Sequence, residues 1–268
     1  MPHRYFDVDR PVVIGHRGAA GTHPENTLAS FAAALEQGAQ ILESDVHVSR
    51  DGVPLLLHDP DVGRVTESAG LASDLDFAEI AKLDAGHQYT DADGKTPFRG
   101  AGHRIPSLED AFAAYPDARF NLEVKCANEA AIATTLGLIE RFDRADRTLL
   151  AAGEDDVMGT VRRALAERPI APAVGASLGE IVASIGSALG QGEMPSGVDA
   201  LQIPSEFAGQ PLVTPELVSH AHAHDVEVHV WTVNQTNEIE ALLEVGVDGI
   251  VTDFPGQMHD WLVRHGRR

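Results

Sequence analysis

A single cysteine, Cys126, stands among 268 residues. No intramolecular disulfide can form, which fits a reducing compartment, and a cytoplasmic location is expected. No apolar run approaches the length of about 18 residues that a membrane span needs. The N-terminal stretch MPHRYFDVDRP is charged and has no apolar core, so no secretory signal is expected. Positive charge is scarce. Lys and Arg total 20 against 41 Asp and Glu, a formal net charge of −21, and the only lysines are Lys82, Lys95 and Lys125. That balance argues against nucleic acid or anionic lipid as a partner, since both require basic patches. It also means that any anionic substrate needs local cations, from particular Arg and Lys residues or a metal. An acid-biased proteome would produce the same composition. No GxGxxG follows a strand-like run, so a dinucleotide site is not expected.

Ile41 to Pro60, ILESDVHVSRDGVPLLLHDP, reads as two strands joined at Asp51-Gly52. That dipeptide favours a two-residue type I′ turn, which predicts Arg50 opposite Val53 and Asp45 opposite His58. Glu43 shares the face of Asp45, two positions away. Two carboxylates and an imidazole on an inner face need a partner, because buried charge is costly. One explanation is a divalent cation on Glu43 and Asp45 with His58 placed for proton transfer. The other is a polar-faced surface hairpin.

The rest of the chain alternates strand and helix. Pro11–Gly15 is an apolar run ending at His16-Arg17-Gly18, and Asn26 or Thr27 can cap a helix through Leu35. Val62 to Pro106 loses this regularity and reads as an insertion with one helical turn near Phe77–Leu83. Ser107 then caps a helix to Tyr115. Further strands are expected to end near Val124, Ala152, Ala176, Ile203, Thr232 and Asp253. Helices are expected over Glu129–Phe142, Asp156–Glu167, Leu178–Leu189, Pro215–His224 and Asn237–Val245. Eight strands in β-α alternation predict an α/β (β/α)8 TIM barrel with a small insertion after the second strand, as one domain over 1–268 with 47–106 as hairpin and insertion. An open doubly wound sheet is the competing topology.

Barrel enzymes carry their chemistry at the C-terminal ends of the strands. Those ends gather His16, Arg17, Glu43, Asp45, Glu123, Lys125, Trp231 and Asn234, and the returning hairpin arm adds His58. Each has an ordinary structural reading alone, such as a rim histidine or a Glu-x-Lys ion pair. Together they suit phosphodiester cleavage. Glu43, Asp45 and Glu123 offer oxygen ligands to one Mg²⁺ or Ca²⁺ and disfavour zinc. The metal, Arg17 and Lys125 would neutralise a phosphate. His16 and His58 are the residue types for a base and an acid, Trp231 offers a surface for the organic part of the substrate, and Asn234 is expected to contact substrate or phosphate.

The chain resembles the glycerophosphodiester phosphodiesterase family. The resemblance rests on Gly15-His16-Arg17-Gly18, Pro24-Glu25-Asn26-Thr27, Glu43-Ser44-Asp45-Val46, Asp51-Gly52-Val53-Pro54, His58-Asp59, Asn121-Leu122-Glu123-Val124-Lys125, Val230-Trp231-Thr232-Val233-Asn234 and Gly249-Ile250-Val251-Thr252-Asp253, in order along nearly the whole chain. It implies a TIM barrel that hydrolyses small-molecule glycerophosphodiesters, such as glycerophosphocholine or glycerophosphoethanolamine, to an alcohol and sn-glycerol 3-phosphate. It implies His16 and His58 as the general acid/base pair, and Glu43, Asp45 and Glu123 as metal ligands, with Glu25 joining or orienting them. In some accounts of the family the glycerol 2-hydroxyl attacks first and a cyclic phosphate is then hydrolysed. Ser44 departs from the hydrophobic residue often found between the two acids and is expected to point away from the site. The stretch Glu154 to Gly209 carries no signature of substrate choice. Rival functions are a lysophospholipase D-type enzyme on the same barrel and a non-catalytic phosphodiester-binding barrel. His220, His222 and His224 mimic a metal cluster, but only two of them can share a helix face. His103 is expected to face solvent. Cys126 is expected to pack between barrel and helices.

Overall fold

Every apolar run flanked by turn residues becomes a strand. The computed structural model describes residues 3–268. Its strands are β1 (Val12–Gly15), β2 (Ile41–Val48), β3 (Pro54–Leu56), β4 (Arg119–Val124), β5 (Thr148–Ala151), β6 (Ala173–Val174), β7 (Ala200–Pro204), β8 (Glu206–Phe207), β9 (Gln210–Pro211), β10 (Glu227–Trp231) and β11 (Gly249–Thr252). Its helices are α1 (Leu28–Glu36), α2 (Phe77–Ile80), α3 (Leu108–Ala114), α4 (Glu129–Arg141), α5 (Asp155–Ala166), α6 (Leu178–Ala188), α7 (Pro215–His222), α8 (Thr236–Val245) and α9 (Pro255–Arg264). Eight strands pair in parallel in the order β6-β5-β4-β2-β1-β11-β10-β7. A bridge from Gly175 to Ala200 brings β7 back beside β6 and closes the ring. The fold is a (β/α)8 TIM barrel.

Both faces of the parallel strands are covered, which is why they read as continuous apolar runs. Phe31, Phe112, Phe120 and many aliphatic side chains fill the layer between barrel and helices. Inside the ring, Ile14, Ile41, Leu149, Ala173 and Val251 pack with Tyr5 and Phe6, so the N-terminal segment plugs the floor. The polar rim lies at the other end. Local signals set the helix starts: Ser107 with Asp110 and Ser177 with Glu180 form capping boxes, and Thr27 caps α1. The closing helix α9 has no counterpart in the expected set. Pro255 at its start and Met258, Trp261 and Leu262 on its buried face carry the signal.

The hairpin after β2 differs from the type I′ expectation. A type I′ turn needs positive φ at both central residues. Only Gly52 adopts it (φ 83), and Asp51 does not. Asp51 is held by its own side chain, which accepts hydrogen bonds from Ser49 Oγ (2.6 Å) and Phe77 N (2.9 Å). Gly52 N bonds to Ser49 O, and Ser49 N to Val53 O, giving a three-residue loop. The register therefore slips by one: Val48 faces Pro54, and Asp45 bonds across to Leu57 instead of His58. A slip of one would turn His58 to the wrong face if the strand continued. β3 ends at Leu56, however, and the chain bends away, so His58 returns to the rim from a loop. The segment beyond gathers its own apolar cluster of Leu55, Leu57, Val62, Val65, Ala72, Ile80, Ala85 and Ile105.

Candidate active site

β2 and β4 run side by side with Glu43 opposite Asn121 and Asp45 opposite Glu123. Neighbours in register share a face, so alternate residues of both strands point to the barrel axis. One carboxylate oxygen from each of Glu43, Asp45 and Glu123 lies within 4.8 Å of the others, the only such cluster among the described residues. Glu43 and Asp45 are buried and Glu123 is partly exposed. Burial, and then the neighbouring Asp45 charge, push the Glu43 carboxyl up from 4.5 to about 7. Burial also raises Asp45, but Lys125 and Arg17 outweigh it and the net shift is downward. Lys125 Nζ sits 3.0 Å from Asp45 and 2.6 Å from Glu123. The Asn121 carboxamide oxygen, beside Glu43 in register, is buried without a hydrogen-bond partner.

The turn after β1 holds the second group. Arg17 has positive φ (50), which swings its backbone N–H onto Glu43 Oε2 at 2.8 Å. Its guanidinium reaches Glu25 at 3.0 Å and lies 3.4 Å from Asp45. His16 Nδ1 is 2.7 Å from Asp253 Oδ1. His58 Nδ1 is 2.6 Å from Asp59 Oδ1. The hydrogen bonds made by both acids outweigh burial and hold them below the usual carboxylate range, so both are ionised acceptors near neutral pH. The proton in each contact therefore sits on Nδ1, which leaves Nε2 free to exchange a proton. Burial lowers the His16 pKa, but the Asp253 bond and the Glu43 charge overcome it and the net shift is upward. Trp231 ends β10 with 45% of its surface exposed at the rim.

This arrangement carries three clustered oxygen ligands, two carboxylate-oriented imidazoles and two cations on one barrel rim. The glycerophosphoryl diester phosphodiesterase family profile matches residues 16–257. The chain belongs to that family. A Mycobacterium tuberculosis protein named "Probable glycerophosphodiester phosphodiesterase 2" is 32% identical over 95% of this chain and 92% of its own length. Human "Lysophospholipase D GDPD1" is 26% identical over 93% of this chain and 85% of its own. An Oleispira antarctica phosphodiesterase, solved with the product sn-glycerol-3-phosphate, superposes with a TM-score of 0.74 at 26% identity, covering 94% of this chain and 97% of that one.

Several residues of this phosphodiesterase escape a motif reading. Ser44 does point away from the cluster, but it donates to Asn26 Oδ1 at 2.7 Å, and Asn26 Nδ2 donates to Asp45 at 3.0 Å. Ser44 thus fixes Asp45 through one intermediary. Asn234 donates to Asp253 Oδ2 at 2.6 Å, and its Oδ1 accepts from Thr252 and from the Asp253 backbone, so its carboxamide serves Asp253. Glu25 lies outside the three-carboxylate cluster and is paired to Arg17 and Arg64. Of the C-terminal histidines, His220 and His224 share a face at the end of α7 with ring centroids 4.6 Å apart, while His222 turns away to Asp248; His220 also meets Ser187, and His224 bonds the His220 carbonyl. His103 is half-buried beside Phe98 in the insertion. Cys126 is partly exposed because β4 stops at Val124, so it does not reach the packed layer.

Proposed function

We propose that the protein hydrolyses glycerophosphodiesters, such as glycerophosphocholine or glycerophosphoethanolamine, to an alcohol and sn-glycerol 3-phosphate. The observation that carries this reading is the pair of carboxylate-anchored histidines flanking the three-carboxylate cluster on one rim. That cluster fits a hard divalent cation. Its donors are all oxygen, two of the three are buried, and burial followed by repulsion from Asp45 raises the Glu43 carboxyl from 4.5 to about 7. A cation would relieve that repulsion. Glu43, Asp45 and Glu123 would hold one Mg²⁺ or Ca²⁺, and when bound it would offset charge on the phosphate.

The chain's own groups supply the rest. Arg17 and Lys125 face the anionic oxygens. One imidazole takes the proton from the attacking oxygen through Nε2. The other gives its proton to the alcohol oxygen as the phosphorus–oxygen bond to the leaving group breaks. Asp253 and Asp59 accept from Nδ1 of the two rings, which keeps Nε2 of the base free to take a proton and stabilises the doubly protonated ring that gives one. Asn234 holds Asp253, and Glu25 orients Arg17. Trp231 packs against the organic part of the substrate. No helix among the described residues is long and apolar enough to cross a membrane. The enzyme works in the cytoplasm in this proposal.

The test is release of sn-glycerol 3-phosphate from glycerophosphocholine and glycerophosphoethanolamine, with EDTA and then with Mg²⁺ or Ca²⁺ restored. Metal-restored release is expected. Release that survives EDTA would refute the metal assignment. Failure on both diesters, with turnover of a lysophospholipid, would move the activity to the lysophospholipase D class.

A further inference from the structure

Arg64 belongs to the insertion, in the single helical turn Val62–Arg64 just past His58. Asp61 fixes that turn: its two carboxylate oxygens accept from Gly63 N at 2.7 Å and Gly70 N at 3.1 Å. From there the Arg64 guanidinium reaches two separate parts of the rim. Its two terminal nitrogens bind both oxygens of Glu25 at 2.8 and 2.6 Å, a bidentate fork. Its Nε donates to Asp59 Oδ2, and the other oxygen of Asp59 accepts from His58 Nδ1 at 2.6 Å. On the far side, Glu25 accepts from Arg17, whose backbone N–H donates to Glu43. A continuous polar chain thus runs from His58 through Asp59, Arg64, Glu25 and Arg17 to the carboxylate cluster. Arg64 is its only link between insertion and barrel. A planar guanidinium offers a fixed fork to Glu25 and a third donor to Asp59, a set of directions that an ammonium on a flexible stem does not reproduce.

We infer that Arg64 is a positioning residue that holds His58 in register with the barrel half of the active site, which makes the insertion a working wall of the site. This rests on the proposed hydrolysis, and it assigns the insertion a function in that reaction. Arg64 acts through Asp59 on the orientation of His58, not on the substrate. Glu25 keeps its own bond to Arg17 at 3.0 Å when Arg64 is lost, so the loss should fall on kcat and leave KM nearly unchanged.

The experiment is steady-state kinetics on the metal-loaded enzyme for the parent, R64K, R64Q, D59N and R64Q/D59N. R64Q is expected to lower kcat about 10- to 100-fold, the usual cost of removing a partner that orients an active-site group. KM should stay within about threefold, and R64K should recover less than half of the loss on a logarithmic scale. The double variant should match D59N within about threefold, because both changes break one link. Parent-like kcat in R64Q, full rescue by R64K, or losses that multiply in the double variant would overturn the inference. If R64Q does not fold, parent-like kcat in R64K alone overturns it. A parent inactive on every glycerophosphodiester overturns the functional proposal and this inference with it, so the two failures are distinguishable.

Discussion

Glu43→Gln should make the metal-free protein more stable while removing its cation response. The Glu43 carboxyl is buried beside Asp45, and both effects push it from 4.5 to about 7. In the unfolded chain it ionises near its ordinary value. Between those two values the folded state binds more protons than the unfolded one, so stability falls as pH rises through the window. The loss is complete above about pH 7 and amounts to roughly 3 kcal/mol. Glutamine cannot ionise and keeps an oxygen to accept the Arg17 backbone N–H, which now lies at 2.8 Å. In EDTA at pH 8, Glu43→Gln should therefore melt about 5–10 °C above the parent, and the two should converge near pH 5. Adding Mg²⁺ or Ca²⁺ should reverse the order. A ligand at about 1,000 times its Kd stabilises the parent by about 4.1 kcal/mol, more than the deficit of roughly 3 kcal/mol, and the variant has lost a carboxylate ligand. Differential scanning calorimetry at both pH values, with and without cation, measures all four states. Equal melting of the metal-free proteins at pH 8, or a variant that gains as much as the parent from the cation, would refute the reasoning.

Asp253→Asn removes the ionised acceptor that fixes and elevates His16; kcat should fall at least about tenfold. The limb of the pH–rate profile that belongs to His16 should move to lower pH. Ser44→Ala strips the donor from the buried Asn26 oxygen, costing about 1–3 kcal/mol of stability, and calorimetric titration should show weaker cation binding through Asp45. Gly52→Ala forces a residue with a Cβ into φ 83, where the added carbon meets nothing within 4 Å. Only backbone strain of about 1–2 kcal/mol is expected, read as a lower melting temperature with unchanged turnover. Titration of sn-glycerol 3-phosphate onto protein in EDTA should give no binding heat, and restoring the cation should recover it.

The barrel was legible because parallel strands buried on both faces and the amphipathic helices between them leave separate periodicities in the chain. The rim was legible because Glu43 and Asp45, and Glu123 and Lys125, are spaced by two on strands that the alternation places side by side. The hairpin register was not. It depends on Ser49 and Phe77 both claiming the Asp51 carboxylate, and the second of these comes from 26 residues away. The roles of Asn26, Ser44 and Arg64 were hidden for the same reason: each acts through a partner distant in the chain, and a motif names a residue without naming what it touches. Asn234 is the clearest instance. Its place at a strand end suggested substrate contact, while its carboxamide is engaged by Asp253 and Thr252. Helix α9 does carry a local signal, a proline start and a buried triad, and its omission reflects a reading that stopped at the last strand.

The charge of the rim is a reason for the proposed cation to bind within the site. Six carboxylates converge on the rim: Glu25, Glu43, Asp45, Asp59, Glu123 and Asp253. Three permanent cations answer them, Arg17, Arg64 and Lys125, and each is already bound to two carboxylates. With the imidazoles neutral the rim keeps an excess of about three negative charges, inside a chain of net charge −21. An anionic phosphodiester approaching such a rim is repelled both locally and by the whole protein. The proposed divalent cation would do more than reduce that excess. Lys125, now held by Asp45 and Glu123, would be freed if those carboxylates turned to the cation, and would then face the phosphate. The same step would offset the burial and the Asp45 charge that together raise the Glu43 carboxyl to about 7. Cation binding should therefore precede substrate binding, and a site that recruited its positive charge from solution would tolerate the scarcity of lysine and arginine in the sequence.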